Sequence, residues 1–497
     1  MKKGDIVTGV CSRVDFPNRG IVETDEGIVT VKNVIPGQYI RLMINKKRNG
    51  HAEGRLLEVI KKAPLEEAVS CSFFGVCGGC NYLSLPYEEQ LKLKEEQIWR
   101  LLQNAVPEGN EEFSFEGIKG SPRPLQYRNK MELTFGDSVK DGPLTLGLHK
   151  RGSFHDILPV SECMIMDGDF RRIADYTVEF YRDKNIPYFR RMSHEGILRH
   201  LLLRKAFKTG ELLIGLVTTS ENGIDGKAED ANLCIDEYKD GLIKLLENGE
   251  LTGTIAGILH IINNSLSDIV QSDDTRILYG RDYFHEELLG LKFRISTFSF
   301  FQTNSFSAEV LYGTVREFAE GALKNAPVIY DLYSGTGTIS QILAKSAKKV
   351  IGVELIEEAV AAARENARLN GIDNVEFIAG DVLKVLENIE EKPDLIVLDP
   401  PRDGIHPKAL PKILDYGAEN IIYISCKPSS LARDIPLIYE RGYCIKRAVC
   451  VDQFPQTVNC ETVCLLSNRK PDSYVHLNLK MEDYYRIKDA EKEQEKK

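Results

Sequence analysis

The stretch Val328-Ile329-Tyr330-Asp331-Leu332-Tyr333-Ser334-Gly335-Thr336-Gly337 decides the fold. An apolar run ends in an acid and a glycine loop, and residues 339–347 beyond it carry a helical period. Strand, glycine loop and helix in that order open an α/β sheet whose ligands bind beyond the carboxyl ends of its strands. Downstream the same rhythm repeats, with a strand at 349–354, a helix at 356–370 and strands at 375–378, 395–398 and 420–424. Two final runs, 443–451 and 461–466, are close enough to pair as a hairpin. Alternating strand and helix predicts a parallel, Rossmann-like sheet over residues 286–470.

The strand ends carry the chemistry. Gly335 and Gly337 let backbone approach a ligand. Glu354 ends the next strand, where an acid can accept hydrogen bonds from ribose hydroxyls. Asp381 ends the third and can accept from an adenine amino group. Ser340 stands where a dinucleotide fingerprint has Gly or Ala, and no arginine is placed for a 2′-phosphate. This favours S-adenosylmethionine over NADP, with NAD or a vestigial loop as alternatives. Asp399-Pro400-Pro401-Arg402 holds an acid at a proline-stiffened strand end, or is a plain loop-closing turn. Cys426, in Ile424-Ser425-Cys426-Lys427-Pro428, brings a thiol to the same crevice, and a deprotonated thiol is a strong nucleophile. A buried structural cysteine is the other reading. Glu461, opening the last strand, is a candidate general base.

Upstream the composition changes. Five short β-rich runs (5–11, 20–24, 27–31, 38–43, 54–59) predict an OB-like barrel over residues 1–62, a fold common in oligonucleotide binding. A helix is predicted from Tyr87 to about Gln103, with Leu91, Ile98, Leu101 and Leu102 as its apolar stripe. Strand-like runs at 130–135, 201–205, 211–218 and 257–263 around a helix at 170–182 predict an α+β domain with an antiparallel sheet. The segment Cys71-x5-Cys77-Gly78-Gly79-Cys80, with Cys163 far downstream, offers four thiolates for a [4Fe–4S] cluster or tetrahedral zinc, the cluster being preferred. The other cysteines (Cys11, Cys234, Cys444, Cys450, Cys460, Cys464) are expected to be small buried hydrophobes. The chain of 497 residues has a net charge of −10, but the charge is uneven. Residues 1–62 hold 12 Lys/Arg against 7 Asp/Glu and residues 121–210 hold 16 against 11, so local surfaces permit an RNA partner. No run reaches the ~20 apolar residues of a membrane span, the start lacks a secretory h-region, and a cytoplasmic protein is expected.

Taken together these residues resemble the S-adenosylmethionine-dependent RNA uracil-5-methyltransferases, in particular the iron–sulfur branch that makes 5-methyluridine in 23S ribosomal RNA. The likeness runs to about residue 468. It adds Tyr127-Arg128-Asn129-Lys130, Gly147-Leu148-His149-Lys150, Phe300-Phe301-Gln302-Thr303-Asn304 and Leu431-Ala432-Arg433-Asp434 to the motifs above. The resemblance implies a TRAM barrel (1–62), a central iron–sulfur domain (63–285), a methyltransferase domain (286–470) and a charged tail (471–497). It also implies that the helix at about 87–105 packs on the catalytic domain. Gln302, Tyr333, Thr338, Glu354, Asp381 and Asp399 would line the cofactor site. Cys71, Cys77, Cys80 and Cys163 would hold the cluster, Cys426 would be the nucleophile and Glu461 the base. RNA is the implied partner, with no membrane and no obligate protein partner evident. A tRNA substrate, or a catalytically silent RNA-binding or ribosome-assembly role, are the competing readings. Two departures stand out: Lys427 follows the nucleophile where the family usually has Asn, and Asn459 precedes the base where it usually has His.

Overall fold

The computed structural model describes residues 1–468 apart from 49, 111, 221–232, 268, 324–326, 387 and 390, so the charged tail expected at 471–497 lies outside the described residues. The chain opens with β1 (Ile6–Asp15), β2 (Arg19–Thr24), β3 (Gly27–Lys32), β4 (Tyr39–Arg48) and β5 (His51–Lys61), closed into a barrel in the order β1-β2-β3-β5-β4. Period-two alternation drives the closure: Ile40, Leu42 and Ile44 of β4 point inward while Tyr39 and Arg41 face out. Gly20 is required on β2, because a β-carbon there would stand 2.0 Å from the Val34 side chain.

Next come α1 (Tyr87–Ala105) and β6 (Ser114–Lys119), followed by a seven-stranded sheet. Its elements are β7 (Lys130–Gly136), β8 (Thr145–His149), β9 (Ile157–Pro159), α2 (Gly168–Asp183), β10 (Leu198–Lys205), β11 (Glu211–Thr218), α3 (Ile235–Glu247), β12 (Thr254–Ile262) and β13 (Asp274–Gly280). The strand order is β13-β12-β11-β10-β7-β8-β9. The expectation of an antiparallel sheet needs correction, since β11 and β12 pair in parallel. Helix α3 carries the chain back between them, as a parallel pair demands.

The hairpin β14 (Tyr283–Leu288) and β15 (Leu291–Ser296) and the helix α4 (Ser305–Ala322) lead into the second large sheet. It comprises β16 (Val328–Leu332), α5 (Thr338–Ala344), β17 (Lys349–Glu354), α6 (Glu357–Leu369), β18 (Val375–Ala379), α7 (Val382–Leu386), β19 (Leu395–Leu398), α8 (Ala409–Asp415), β20 (Asn420–Ser425), α9 (Pro428–Glu440), β21 (Tyr443–Val451) and β22 (Glu461–Asn468). The order is β18-β17-β16-β19-β20-β22-β21-β6. Only β22 runs against the others, paired antiparallel to β20 and β21. The winding reverses between β16 and β19, which are parallel neighbours; a crevice opens at such a switch point. The eighth strand comes from elsewhere in the chain: β6 pairs in parallel with β21 at the sheet edge.

Helix α1 also reaches into this half. Its buried residues are Gln90, Leu93, Lys94, Gln97, Ile98 and Leu102, not the wholly apolar stripe expected, and Leu91 and Leu101 are only half-buried. The polar members grip the loop between β21 and β22. Lys94 Nζ donates to Asp452 Oδ1 (2.7 Å) and to the Phe454 carbonyl (3.1 Å). The two side chains of this ion pair are 1% and 0% exposed. Tyr87 donates to Asp452 Oδ2 (3.0 Å) and accepts from the Ser121 N–H (2.6 Å). Gln90 donates to Gln456 Oε1 and accepts from the Gln456 N–H.

Removing one partner of such a pair strands a buried charge, at a cost of about 3–5 kcal/mol. Lys94→Met is therefore expected to lower the free energy of unfolding by an amount of that order, measured by denaturant titration followed by circular dichroism. A loss under about 1 kcal/mol, the level of an exposed pair, would contradict the assignment.

Candidate active site

The carboxyl ends of β16, β17, β19 and β20 open into one cleft of about 1520 Å³. All eight residues singled out for cofactor binding and catalysis line it: Gln302, Tyr333, Thr338, Glu354, Asp381, Asp399, Cys426 and Glu461. The glycine loop is shaped by left-handed backbone at Tyr333 (φ +71°), Gly335 (+53°) and Gly337 (+74°). At Gly337 a β-carbon would also meet the Phe377 ring at 2.5 Å. Tyr333 adopts that conformation without being glycine, a strain characteristic of functional loops. Glu354 is held by the loop it faces, accepting from the Gly335 N–H and the Ile356 N–H, each at 3.0 Å. Asp381 accepts from the Leu383 N–H through Oδ1 (3.0 Å).

Ser340 has a task that its place in the glycine pattern did not suggest. Its hydroxyl donates to Asp331 Oδ2 at 2.5 Å, and both residues are fully buried. The bond engages one oxygen of an acid under the glycine loop while Oδ1 stays buried without a partner among the described residues, and burial raises the Asp331 carboxyl to about 6.

Two carboxyls and a thiol line the floor, with the carboxyl of Asp331 buried close by. Burial, then the charge of Asp331, pushes Asp399 up to about 7. Burial, then Asp399, pushes Glu461 up to about 8, with Arg402 pulling the other way. Burial, then Glu461 and Asp399, raises the Cys426 thiol to about 11, again opposed by Arg402. Arg402 is thus a cation felt by both groups. Lys427, which stands where the family usually has Asn, is exposed and does not line the cleft. Asn459 does line it, and its backbone and side-chain N–H groups donate to Thr457 Oγ1 (3.2 and 3.4 Å).

The motif around residue 127 joins the halves of the molecule at this cleft. Tyr127 donates to the Pro455 carbonyl (2.9 Å), and Asn129 donates to the Gln302 carbonyl (2.9 Å) and to Ser305 (2.8 Å). Arg128 reaches the cleft itself, as do His406 and Lys408, which the sequence reading did not select. They sit in loops without a periodic pattern, so only their place after the Asp399 strand end could have marked them.

The four cysteines are neighbours without forming a closed ligand cage. Among the described residues no group of three or more His, Cys, Asp or Glu side chains is arranged to hold a metal ion. Cys71, Cys77, Cys80 and Cys163 are nevertheless free thiols. Burial first, and then the charges of Cys163, Cys77 and Cys71, raise Cys80 to about 12. The Gly79 N–H donates to the Cys77 sulfur (3.4 Å), and the Ile165 and Met166 N–H groups favour the Cys163 thiolate. Backbone donors aimed at clustered sulfurs suit thiolates that ligate a metal or a cluster. Of the remaining cysteines, Cys11, Cys444, Cys450, Cys460 and Cys464 are buried as expected, whereas Cys234 is half-exposed at the start of α3.

Comparison with known proteins follows the same lines. The family profile described as tRNA (Uracil-5-)-methyltransferase matches residues 257–469. An uncharacterized RNA methyltransferase of Caldanaerobacter subterraneus subsp. tengcongensis is 46% identical over 466 residues, covering 94% of this chain and 99% of that protein. Another, from Clostridium tetani, is 47% identical over 463 residues, covering 93% and 98%. The chain belongs to the tRNA (uracil-5-)-methyltransferase family. It is an S-adenosylmethionine-dependent RNA methyltransferase, which sets aside the redox and catalytically silent readings. The crystal structure of Pyrococcus abyssi tRNA (uracil-54, C5)-methyltransferase in complex with S-adenosyl-L-homocysteine superposes with a TM-score of 0.70 at 25% identity. The match covers 92% of this chain and 100% of that one. The unmatched remainder of this chain is shorter than the barrel, so an enzyme named for tRNA matches at least part of that segment. No described helix is long and apolar enough to cross a membrane.

The raised carboxyls make stability depend on pH. Folded values of about 7 and 8 for Asp399 and Glu461 lie above the ordinary 3.8 and 4.5. Their contribution is therefore fully present below the ordinary values and is lost as pH rises through 7 and 8. Glu461→Gln removes one such group, so its thermal midpoint relative to the parent protein is expected to rise between pH 5 and pH 8.5. A difference independent of pH would contradict the raised value.

Proposed function

We propose that this enzyme methylates C5 of a uridine in RNA, 23S ribosomal RNA by preference, through a covalent bond between Cys426 and C6. The observation that carries the reading is the convergence of Cys426, Glu461 and Asp399 on the floor of the cleft that Gln302, Tyr333, Glu354 and Asp381 line. S-adenosylmethionine supplies an electrophilic methyl on a positively charged sulfur. Uracil C5 is too weak a nucleophile to take that methyl unaided, so covalent catalysis divides the step. The Cys426 thiolate adds to C6, and the C5–C6 π pair moves onto the C4 carbonyl as an enolate. C5 then bonds to the methyl carbon as its bond to sulfur breaks. Glu461 takes the C5 proton, the C6–S bond breaks, and the C5–C6 double bond returns with Cys426 free.

The electrostatics fit this order. A thiol near 11 and an acid near 8 are both protonated at neutral pH, held so first by burial and then by Asp399, with Glu461 adding to the rise at Cys426. A cation entering beside them favours their charged forms, so the nucleophile is released when the methyl donor is in place. Phe300, exposed and lining the cleft, offers a face for a base turned out of its stack.

The domain reading is part of the proposal: a TRAM-type RNA-binding barrel at 1–62, a central iron–sulfur domain at 63–285 and the methyltransferase domain at 286–470, with α1 and β6 built onto the last. Cys71, Cys77, Cys80 and Cys163 would hold a [4Fe–4S] cluster, which as a thiolate-bound centre would clamp the loop to the central sheet. Anaerobic purification is expected to give a brown protein with about four irons per chain; stoichiometric zinc without iron would replace the cluster by a zinc site.

One observation favours a second reading, tRNA as substrate: the Pyrococcus enzyme named for uracil-54 of tRNA matches most of this chain. The barrel therefore does not by itself argue for ribosomal RNA. Transfer of labelled methyl to protein-free 23S rRNA and to total tRNA separates the two. Cys426→Ala is expected to abolish covalent capture of RNA on denaturing gels. Glu461→Gln is expected to accumulate the methylated adduct, and normal turnover by that variant would remove Glu461 as the base.

A further inference from the structure

A second cavity, of about 590 Å³, opens at one end of the central sheet. The end of β7, the start of β9 and the loops before β10 and after β12 converge on it, bringing Phe154, Met192 and Leu266 to its lining. These three are 76%, 81% and 65% exposed. Large apolar side chains standing together at such exposure mark a binding surface. Lys140, Arg190 and Arg191 share the lining. Arg190 is engaged by Asp141 (3.1 Å) and lies 5.3 Å from the Tyr188 ring centroid. Asp137 and Asp156 also line the cavity, but the cationic side chains of Lys140, Arg190, Arg191 and Arg199 outnumber them, and apolar and aromatic faces beside a positive balance suit a nucleobase and its phosphates.

The cavity is joined to the active site by the cysteine loop. Gly79 lines the catalytic cleft, while the segment bordering the second cavity is bonded to the same loop. The Arg151 N–H donates to the Val76 carbonyl (2.8 Å), its guanidinium donates to the Cys80 carbonyl (3.2 Å), and Cys77 bridges to Lys150. Strand β7 gives the scale. Arg128, just before it, lines the cleft, and Gly136, at its far end, lines the second cavity. At the rise of an extended strand that is roughly 25 Å.

We infer that this cavity is a second RNA subsite, taking an unstacked nucleotide of the same substrate at a distance of several nucleotides from the target uridine. The inference rests on the RNA reading above and adds where, beyond the cleft, the RNA is read. Its test is equilibrium binding, which does not depend on methyl transfer. Fluorescein-labelled 23S rRNA transcript and total tRNA are titrated with the intact enzyme by anisotropy. The double variant F154A/M192A is expected to bind its RNA about tenfold more weakly, the loss typical of removing a stacking face. K140E is expected to reduce the salt slope of binding by about 1. The Kd for S-adenosyl-L-homocysteine should stay within about twofold in both variants, a change that stacking loss alone does not require. Unchanged RNA affinity in the double variant overturns the inference, as does failure of the parent enzyme to bind either RNA. Loss of concentration-dependent self-association with RNA affinity intact also overturns it, by assigning the patch to a second copy of the chain. Methyl transfer scored in parallel separates the two claims: transfer with unchanged binding in the variants removes the subsite alone, and binding without transfer removes the uridine reaction alone.

Discussion

Two charges sealed from solvent, the ammonium of Lys94 and the carboxylate of Asp452, hold the loop on which the active site closes. Burying such a pair is expensive, and it is tolerated when further hydrogen bonds complete both partners. Here Tyr87 and the Phe454 carbonyl do so. The loop beyond supplies Phe454, Thr457 and Asn459 to the cleft and delivers Glu461 to its floor. The Asn81 and Tyr82 N–H groups, directly after the cysteine segment, donate to the Gln456 carbonyl. The position of the carboxylate that would remove the C5 proton thus depends on contacts made by residues more than three hundred positions earlier in the chain.

The same burial that fixes the loop sets the protonation of the floor. Asp331, Asp399 and Glu461 lie under the cleft with few compensating donors, and each holds its proton more tightly than an exposed acid. If Cys426 acts as the proposed nucleophile, keeping the two carboxyls neutral until a cation arrives eases formation of its thiolate. Arg402, next to the two prolines, is well suited to this setting: it opposes the rise at both Cys426 and Glu461.

Much of this was legible from residue types at strand ends, because there the chemistry is local. A glycine loop, Glu354, Asp381, Asp399 and Cys426 each follow an apolar run, and a parallel sheet brings all such ends to one side. Less legible were features whose meaning depends on distant partners. Lys94 and Gln90 stand outside the apolar stripe expected of the helix, and their burial shows only when Asp452 and Gln456 are placed against them. Ser340 read as a missing glycine until its bond to Asp331 is seen. The parallel pairing of β11 and β12 was hidden because the crossover helix α3 was not recognised. The spacing of the four cysteines suggested ligands for a metal or cluster, but spacing says nothing about whether their sulfurs already form a cage, and among the described residues they do not.

Strand β6 has a consequence for how the molecule is made. It completes the catalytic sheet from the early part of the chain, and its Glu116 pairs with Arg447, 331 residues later. On the ribosome this strand emerges long before its neighbour and must wait, edge exposed, until nearly all of the polypeptide has been synthesised. Long-range pairing of this kind slows folding, and unpaired edges invite aggregation in the interval. A catalytic half cut free at residue 286 would lack both its edge strand and the helix that holds its loop, so the N-terminal region is part of the fold of the catalytic half itself.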